Sequence, residues 1–353
     1  MKNKILFIYT GRSSFVKKDI EILSQKYIVD EFAFIAFPKW KTPFLLLKQF
    51  FLLLFKGKSY SLMITQFAGY HSYLPALLGK LYNTTVLIIC GGTESAGFPS
   101  ISYGNFNKKW LGLFTKWSIN MATHLAPKHQ SLIHFKYDYD DKDYPEQGLQ
   151  FFIRNFNTPY TIIENGYDAS KFRCIAAKKK NSFVTVAAGI GTSNIIPLKG
   201  IDLIIDAAPH FSDCSFYLVG VPIDFKMQLK SSNVICLPQL KNEELIKLYS
   251  EAEFYLQLSM SEGFPNAICE AMLCEGIPIA SNVNALPDIV DNAGFILSRR
   301  NNDQLKQIIA TALRSDKNLL RLKARKHIAD NFSIEKRASK ILNLVDLLIE
   351  KKQ

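Results

Sequence analysis

Residues 254–281 read FYLQLSMSEGFPNAICEAMLCEGIPIAS: an apolar run, a polar turn, a helical stretch and a second apolar run. This order predicts a strand over 254–259 and a helix with Pro265 at its start, where the fixed backbone angle of proline is favourable. Gly276 and Pro278 then end the helix. A strand, a crossover helix and another strand predict two parallel strands of one sheet.

The same alternation of short apolar runs and helical stretches continues along the whole chain, and it predicts an α/β fold with two similar open parallel sheets. Polar, lysine-rich residues 165–183 are the expected seam. We therefore predict domains over 1–170 and 171–334 and a C-terminal helix over 335–353 that packs back toward the first domain. Ligands of such sheets bind at the carboxyl ends of the strands, so the cleft between the domains is the expected site. The predicted strands are 5–9, 28–37, 62–66, 86–90, 124–127 and 161–164, then 183–188, 216–220, 234–238, 254–259, 278–281 and 294–297.

Charge is distributed unevenly along the 353 residues, of which 48% are hydrophobic and 21% charged. Residues 1–137 hold 17 Lys and Arg against 5 Asp and Glu, so they carry the whole net charge of +12, whereas residues 138–353 hold 26 against 26. This excess indicates an anionic partner for the first third of the chain. We expect no nucleic-acid partner, because no module that interleaves basic and aromatic residues is present.

Three further features concern compartment and metals. The first apolar run, residues 5–9, has the length of a buried strand and is too short for the core of a signal peptide, so we expect a cytoplasmic protein. The six cysteines are scattered without paired spacing and are expected to be reduced. The six histidines have no metal-ligand spacing, so we expect no metal site.

Residues 39–58 read KWKTPFLLLKQFFLLLFKGK and place Lys41, Lys48 and Lys56 near one face of a Phe- and Leu-rich helix. With Lys48 and Gln49 at its centre, the helix does not span a bilayer. It can lie on one, with apolar side chains in the interface and lysines on anionic headgroups. The alternative is an equally apolar crossover helix packed on the sheet. The charge excess favours an anionic membrane surface as a partner, with the protein peripheral on the inner face of the cell membrane.

Two glutamates lie eight positions apart, Glu262 in the turn and Glu270 in the helix. Helical rise alone would separate them by roughly 12 Å. The paired carboxylates of glycoside hydrolases are only roughly 5–9.5 Å apart, so this chemistry is disfavoured. Two carboxylates beside the free amides of a helix start instead suit a nucleotide sugar, which has hydroxyl groups at both ends and phosphate between them. The alternative is a capped helix with solvated glutamates.

The run FYLQLSMSEGFPNAICEAMLCEGIPIASNVNALPDIV, residues 254–290, resembles the E-x7-E region of family 4 glycosyltransferases of the GT-B fold. The resemblance covers the second half of the chain well and the first half weakly. It implies two Rossmann-like domains facing a cleft. It also implies a retaining, metal-independent transferase that takes a hexose-type sugar from a nucleoside diphosphate sugar and needs no cofactor. Other matching pieces follow in the family's order: TIIENGYDASKF (161–172), PLKGIDLIIDAA (197–208), FYLVG (216–220) and LPQLKNEELIKLYSEAE (237–253).

The resemblance implies roles for single residues. Glu270 would bind the donor ribose, Glu262 the transferred sugar and Lys199 the leaving phosphate. Independently of the family, a fixed cation beside a leaving diphosphate stabilises the charge that develops as the glycosidic bond breaks. The alternative for Lys199 is a surface lysine beside a turn glycine. Backbone amides expected to meet the sugar hydroxyls and the diphosphate are those of Gly263, Phe264, Asn266 and Ala267.

One position departs from the family. An arginine commonly follows the glycine that ends the first strand of this domain, but here Ile190 follows Gly189. We expect the second phosphate cation to be Arg12, next to Gly11 in the glycine loop YTGRSSF, and we count Gly11, Arg12 and Gly189 among the donor-binding residues. Replacement of Arg12 by alanine should then weaken donor binding.

In the first half, the loop 91–95 follows a buried strand and should lie at the cleft. Its Glu94 is the acceptor-side candidate, as a base or as a ligand of a hydroxyl group; the alternative is a loop carboxylate without a role. In the front-face mechanism that the resemblance implies, the departing phosphate can accept the acceptor's proton. No protein base is then required.

The resemblance, together with the charge excess of the first third, implies a glycosyltransferase that uses a nucleotide-sugar donor and a saccharide acceptor, expected to be lipid-linked, in bacterial capsule, surface polysaccharide or lipopolysaccharide biosynthesis. A nucleotide-sugar epimerase of the same fold stays open, although its acid and base residues are not evident. A non-catalytic partner subunit also stays open, supported only by Ile190. An NAD site is disfavoured, because Asn194 replaces the third glycine of the fingerprint that Gly189 and Gly191 begin.

Overall fold

Two parallel β-sheets, each covered by helices, organise the protein. The computed structural model describes residues 3–187, 195–221 and 231–351. The first sheet contains β1 Lys4–Tyr9, β2 Ile28–Ala33, β3 Leu62–Gln66, β4 Thr85–Cys90 and β5 His124–Pro127, a small ribbon contains β6 Phe135–Lys136 and β7 Glu146–Gln147, and the second sheet contains β8 Lys179–Val186, β9 Ser215–Val219, β10 Val234–Leu237, β11 Ala252–Gln257, β12 Ile277–Ser281 and β13 Phe295–Leu297.

The strand orders are β2-β1-β3-β4-β5 in the first sheet and β10-β9-β8-β11-β12-β13 in the second. All neighbouring strands within these two sheets are parallel. We call the two sheets with their helices the N-terminal and C-terminal domains. The prediction of an α/β fold with parallel sheets is therefore confirmed.

Helices connect the strands and cover both sheets. Within the described residues, the helices longer than one 3-10 turn are α1 Ser14–Ser24, α2 Thr42–Lys56, α3 Tyr70–Tyr82, α4 Lys109–Met121, α5 Leu149–Phe152, α6 Ile195–Leu198, α7 Ile201–Ala207, α8 Asn242–Glu251, α9 Asn266–Leu273, α10 Leu286–Val290, α11 Asn302–Arg314, α12 Lys317–Asn331 and α13 Ile334–Glu350. Because these helices shield both faces of each sheet, central strands such as β4 and β11 are buried along their whole length.

Three predicted strands differ by several residues from the observed ones, and one of them, 183–188, corresponds to β8, which already begins at Lys179. The run 28–37 pairs only as far as Ala33, because its partner β1 ends at Tyr9, and the last bond runs from the Phe34 amide to the Tyr9 carbonyl. The run 161–164 is extended and donates backbone hydrogen bonds to Leu125 and Pro127 of β5, but it forms no strand of its own. The first sheet thus has five strands where the sequence predicts six.

The C-terminal helix α13 crosses back to the N-terminal domain. Ile341, Val345 and other apolar residues of α13 share a buried cluster with β1, β3 and β4. The guanidinium of Arg337 forms two hydrogen bonds of 2.8 and 2.7 Å with the carboxylate of Asp19 on α1, and both side chains are buried. The predicted packing of this helix is confirmed, and it ties the end of the chain to the first sheet.

Candidate active site

The two domains touch at the carboxyl ends of their central strands. Gly91 and Gly92 follow β4, and they pack directly against Gly263, which follows β11. A Cβ atom added to Gly263 would lie 1.5 Å from the carbonyl oxygen of Gly91. One added to Gly92, whose φ is +142°, would lie 3.0 Å from the backbone of Gly263. The backbones of the two domains are thus in direct contact at the place where the sequence predicts the site.

Glu262 lies at this contact and holds three donors on one carboxylate oxygen. Its Oε1 accepts hydrogen bonds from Lys199 Nζ at 2.5 Å, Ser259 Oγ at 2.7 Å and Gln257 Nε2 at 2.9 Å. The Glu262 amide donates to Asn284 Oδ1 at 3.1 Å. Among the described residues, Oε2 has no hydrogen-bond partner. A carboxylate held this firmly can present its second oxygen to a hydroxyl group of a ligand.

Lys199 reaches Glu262 because the chain around it is fitted against the end of β11. It directly precedes Gly200, which has φ of +65°. A Cβ on Gly200 would lie 2.2 Å from the carbonyl oxygen of Leu258, so only glycine allows this approach. One residue earlier, the carbonyl of Leu198 accepts a 2.8 Å bond from the Met260 amide. These contacts bring together two charged residues that are 63 positions apart.

The electrostatics of Lys199 suit an anion-binding role. Burial alone would lower the pKa of Lys199, but the adjacent Glu262 carboxylate more than offsets this and raises it. The ammonium therefore stays protonated at neutral pH, within a site where water screens its charge poorly. A phosphate group entering the cleft would find a cation already in place.

Helix α9 begins at Asn266, immediately after the contact, and its first amides have no partner within the helix. The Asn266 side chain accepts hydrogen bonds from Asn165 Nδ2 and the Tyr167 hydroxyl, both at 3.0 Å. Asn165 also donates to the carbonyl of Phe264, whose side chain is buried in the core. The interdomain turn therefore fixes the helix start through side chains. The backbone amides that the sequence proposes as ligands, those of Gly263, Phe264, Asn266 and Ala267, all lie in this one junction.

Glu270 lies on α9 and is partly buried. Burial raises its pKa to about 7, even though Lys18 and Lys171 act in the opposite direction. Lys18 belongs to α1 of the N-terminal domain. Burial lowers the pKa of Lys18, and the negative charge of Glu270 offsets only part of this effect. Lys18 was not predicted from the sequence, because its helix lies far from Glu270 along the chain.

The raised pKa of Glu270 predicts a pH-dependent affinity for nucleotides. At pH 6 the carboxyl group is mostly protonated, and at pH 8 it is mostly ionised and can accept hydrogen bonds from ribose hydroxyls. If Glu270 binds the ribose, the affinity for a nucleoside diphosphate should rise by about tenfold between these pH values. Calorimetric titration measures this change.

Glu270→Gln provides the matched control for this pH dependence. The glutamine keeps the size of the side chain and has no carboxyl proton to lose, while the titration of the nucleotide's phosphate is common to both proteins. The rise in affinity should therefore be smaller in the variant. Equal slopes in the two proteins would exclude Glu270 as the titrating ligand.

Glu94 is turned into its own loop. It is 1% exposed, and its carboxylate accepts hydrogen bonds from the amides of Gly91 and Gly92. Burial raises the pKa of Glu94, and these amides counteract the rise. This carboxylate therefore shapes the turn that meets Gly263. Its role toward an acceptor stays a prediction.

Arg12 lies in the loop after β1, and its guanidinium is paired with a carboxylate of β2. Its guanidinium contacts Glu31 Oε1 at 3.2 Å, and the other oxygen of Glu31 accepts a bond from the Tyr9 hydroxyl. This contact uses Nη2 of Arg12, and the expected role of Arg12 toward a phosphate stays a prediction. A Cβ atom added to Gly11 would have no neighbour within 4 Å, so packing does not require glycine there.

A buried lysine at the edge of the first sheet was not predicted from the sequence. Lys128 directly follows β5, is 3% exposed, and lies over the rings of Phe15 at 4.0 Å and Phe67 at 5.5 Å. Burial lowers its pKa to about 7. Its position directly after a predicted strand is the feature of the sequence from which Lys128 could have been predicted.

The predictions for Gly189 and Ile190 fall outside the described residues.

A cavity of about 470 Å³, which we call the strand-end cavity, opens beside Glu94. His71 lines it and is buried, and its Nε2 has no hydrogen-bond partner among the described residues. Burial lowers the pKa of His71 to about 4, so the imidazole is neutral. The other lining residues combine aromatic and polar side chains, including Phe34, Phe67, Tyr70, Thr93 and Asn105.

Neither a metal-binding group nor a transmembrane helix is found in the part of the chain that the structure describes. Over 3–187, 195–221 and 231–351, no three or more His, Cys, Asp and Glu side chains come together as a metal site would require. No helix in these ranges has the length and apolarity needed to cross a membrane.

Comparison with known proteins finds a family match for the C-terminal domain. Residues 176–331 match the family model described as glycosyl transferases group 1. Over these residues the chain is similar to the group 1 glycosyltransferases. The match contains Lys199, Glu262 and Glu270 together with the whole second sheet.

A curated relative and two solved structures extend the comparison. The O-antigen chain mannosyltransferase B of Escherichia coli is 36% identical over 81 residues, which are 23% of this chain and 21% of the relative. Sucrose-phosphate synthase from Thermosynechococcus elongatus aligns with 99% of this chain and 100% of its own, at a TM-score of 0.75 and 15% identity. Anabaena HepE, in complex with UDP and glucose, aligns with 98% and 99% at a TM-score of 0.69 and 16% identity.

These comparisons carry different weight. At such low identity the solved structures show the fold alone, and they show it over nearly the whole chain. The expected GT-B arrangement is thereby confirmed. The chain spans between 21% and 38% of the length of the curated relatives that it matches.

Proposed function

We propose that this protein is a retaining glycosyltransferase that moves a hexose-type sugar from a nucleoside diphosphate sugar to a saccharide acceptor. The observation that carries the proposal is the Lys199–Glu262 pair, held at 2.5 Å where the backbones of the two domains meet. The family match of residues 176–331 supports the transferase chemistry. The UDP and glucose bound by the HepE neighbour support a nucleotide-sugar donor.

The proposed reaction proceeds on one face of the sugar. The bond between the anomeric carbon and the β-phosphate oxygen breaks, and a bond from the acceptor oxygen forms on the same face. The acceptor's proton passes to the departing phosphate, so neither a protein base nor a metal ion is part of the proposal. Lys199 stabilises the charge on the diphosphate as it leaves, and the free amides of α9 add to this effect. Glu262 holds a sugar hydroxyl through its Oε2.

We further propose a lipid-linked saccharide acceptor at an anionic membrane surface, as in bacterial capsule or lipopolysaccharide biosynthesis. The exposed face of α2 supports this proposal, because only Gln49 and Leu53 of this helix are buried. The membrane-bound interpretation thus has more support than a helix packed fully on the sheet. The apolar residues that α2 presents to solvent are Phe44, Leu47, Phe51, Leu54 and Phe55.

The first test is a thermal-shift screen with UDP, GDP, ADP and CMP. A nucleotide at 100 times its dissociation constant should stabilise the fold by about 2.7 kcal/mol. Lys199→Ala and Glu270→Ala should reduce the shift. Lys179→Ala, which removes a lysine from an exposed pair with Glu251, should keep it. If none of the four nucleotides raises the melting temperature, the non-catalytic partner interpretation replaces the proposal.

The second test is transfer itself. The protein is incubated with membrane lipid extracts and with the nucleoside diphosphate sugars of the nucleotide that binds. NMR then determines the anomeric configuration of the product. We expect retention and no change on addition of EDTA. Inversion or a requirement for metal would contradict those parts of the proposal. A changed sugar nucleotide formed without an acceptor would favour the epimerase.

A further inference from the structure

A second, larger cavity lies between α2 and α4 in the N-terminal domain. Its volume is about 770 Å³, within the usual range for small-ligand sites. We call it the α2–α4 cavity. Apolar side chains form much of its wall, among them Pro43 and Leu46 of α2 and Trp110 and Phe114 of α4. A cavity of this kind suits a hydrocarbon ligand.

Three lysines give the α2–α4 cavity a positive rim. Lys39, Lys108 and Lys109 line it, and no carboxylate does. None of the three forms an ion pair with a described carboxylate, so their charges are not neutralised within the described part of the protein. An apolar wall with free cations at its edge matches a ligand that joins a hydrocarbon chain to phosphate.

The α2–α4 cavity adjoins the strand-end cavity. Both are lined by Ala36, Tyr70 and Leu111, so the two cavities share a wall. The strand-end cavity leads on to Glu94, whose loop touches Gly263 at the contact between the domains. A ligand with its chain in the first cavity and a saccharide in the second would therefore extend toward the Lys199–Glu262 pair.

We propose that the α2–α4 cavity binds the hydrocarbon chain of a lipid phosphate, that Lys39, Lys108 and Lys109 bind its phosphate, and that the attached saccharide occupies the strand-end cavity as the acceptor. This inference rests on the proposed glycosyltransferase function, and it assigns the acceptor to a specific site. It differs from general membrane binding, because the exposed face of α2 is separate from the lining of the cavity. Single lipid molecules are bound even without a bilayer.

The test uses farnesyl diphosphate below its micelle concentration and measures its binding to the full-length protein by calorimetry. Two parts of the ligand are tested alone, pyrophosphate for the charged group and farnesol for the chain. Each should bind more weakly by a factor of about 100 or more, because burial of the chain and the charged contacts both contribute. All three tryptophans, Trp40, Trp110 and Trp117, lie in the N-terminal domain, and Trp110 lines the cavity. Binding should therefore also change the intrinsic fluorescence.

Matched variants locate the site. Leu46→Trp fills the α2–α4 cavity, whereas Leu47→Trp places the same side chain on the exposed face of the same helix. Lys108→Gln combined with Lys109→Gln removes two charges from the rim, whereas Lys58→Gln combined with Lys80→Gln removes two exposed charges elsewhere. The cavity and rim variants should lose affinity by about tenfold or more, and the two controls should change it less than twofold.

The proposal is overturned if farnesyl diphosphate binds the cavity variants as well as it binds the controls. It is also overturned if the protein binds only vesicles of anionic lipid, since this would show a membrane surface in place of a lipid site. If Leu46→Trp does not fold, the combined Lys108→Gln and Lys109→Gln variant, whose substitutions are at exposed positions, decides the question. The nucleotide screen on the same preparation separates the two proposals. A nucleotide shift without lipid-phosphate binding refutes this inference alone, and loss of both refutes the transferase function as well.

Discussion

Replacing Lys199 with alanine should lower the rate constant for sugar transfer by about 10²- to 10³-fold, the usual effect of removing one charged or hydrogen-bonding group that stabilises a developing oxyanion. The ammonium of Lys199 is the cation that contacts Glu262, and the leaving diphosphate gains charge as the bond to the sugar breaks. The measurement is kcat at saturating donor, with KM determined separately, so that a loss in the transition state is distinguished from weaker ground-state binding.

The variant also leaves Glu262 without its cation. The carboxylate keeps its hydrogen bonds from Gln257 and Ser259, so we expect the fold to survive with a reduced melting temperature. Circular dichroism checks this point. Lys179→Ala is the control, because Lys179 forms an ion pair that is 55% exposed on the lysine side. A kcat within twofold of the parent protein in folded Lys199→Ala would show that Lys199 does not act on the leaving group.

Much of the fold could be predicted because parallel sheets leave a simple trace in the sequence. Strands such as β4 are covered on both faces and therefore appear as continuous apolar runs between helices. The ends of edge strands are harder to predict. The apolar run after Ala33 suggests a longer strand, but β1 ends at Tyr9 and offers no further partner. Strand length here depends on the neighbouring strand, which the local sequence does not describe.

The candidate site was predictable where it follows one continuous segment, and less so where it depends on packing. Glu262, Glu270 and the start of α9 belong to one strand-turn-helix unit, and the sequence shows their spacing directly. The contact of Lys199 with Glu262 requires that Gly200 fit against Leu258, which is a tertiary feature. Local sequence also does not reveal that the guanidinium of Arg12 forms an ion pair with Glu31. Side-chain partners from other strands decide which predicted charges remain available to a ligand.

The cavities illustrate the same limit. The stretch 39–58 is visibly apolar and basic, and the sequence allows either a packed helix or a membrane-facing one. The structure exposes one face of α2 and places another part of it opposite Trp110 of α4. A single helix can therefore present an outer apolar face and line a cavity at the same time. Hydrophobic periodicity alone does not separate these two functions.

Gly263→Ala should lower kcat by about 100-fold while leaving the affinity for nucleotides within a few-fold of the parent protein. The new Cβ atom would lie 1.5 Å from the carbonyl oxygen of Gly91, so this oxygen would have to retreat by at least 1.5 Å to reach the 3.0 Å that real Cβ contacts respect. The two atoms nearest to the new Cβ are the carbonyl oxygen and carbonyl carbon of Gly91. They belong to the backbone, which cannot move aside as a flexible side chain does. The domains must therefore separate at the site, and a misplacement of about 1 Å costs about 10² in rate.

The separation of kcat from nucleotide affinity is the decisive feature of the Gly263→Ala experiment. Lys199, Glu262 and Glu270 all belong to the C-terminal domain, so the donor site stays assembled when the N-terminal loop moves away. Gly57→Ala is the control, since its Cβ would meet only the side chains of Tyr82 and Met63, at 3.2 Å or more. Transfer rates and nucleotide titrations of both variants complete the measurement. Unchanged kcat in Gly263→Ala would mean that catalysis does not need the two backbones in contact, and the acceptor would then have to reach the donor in a more open arrangement of the domains.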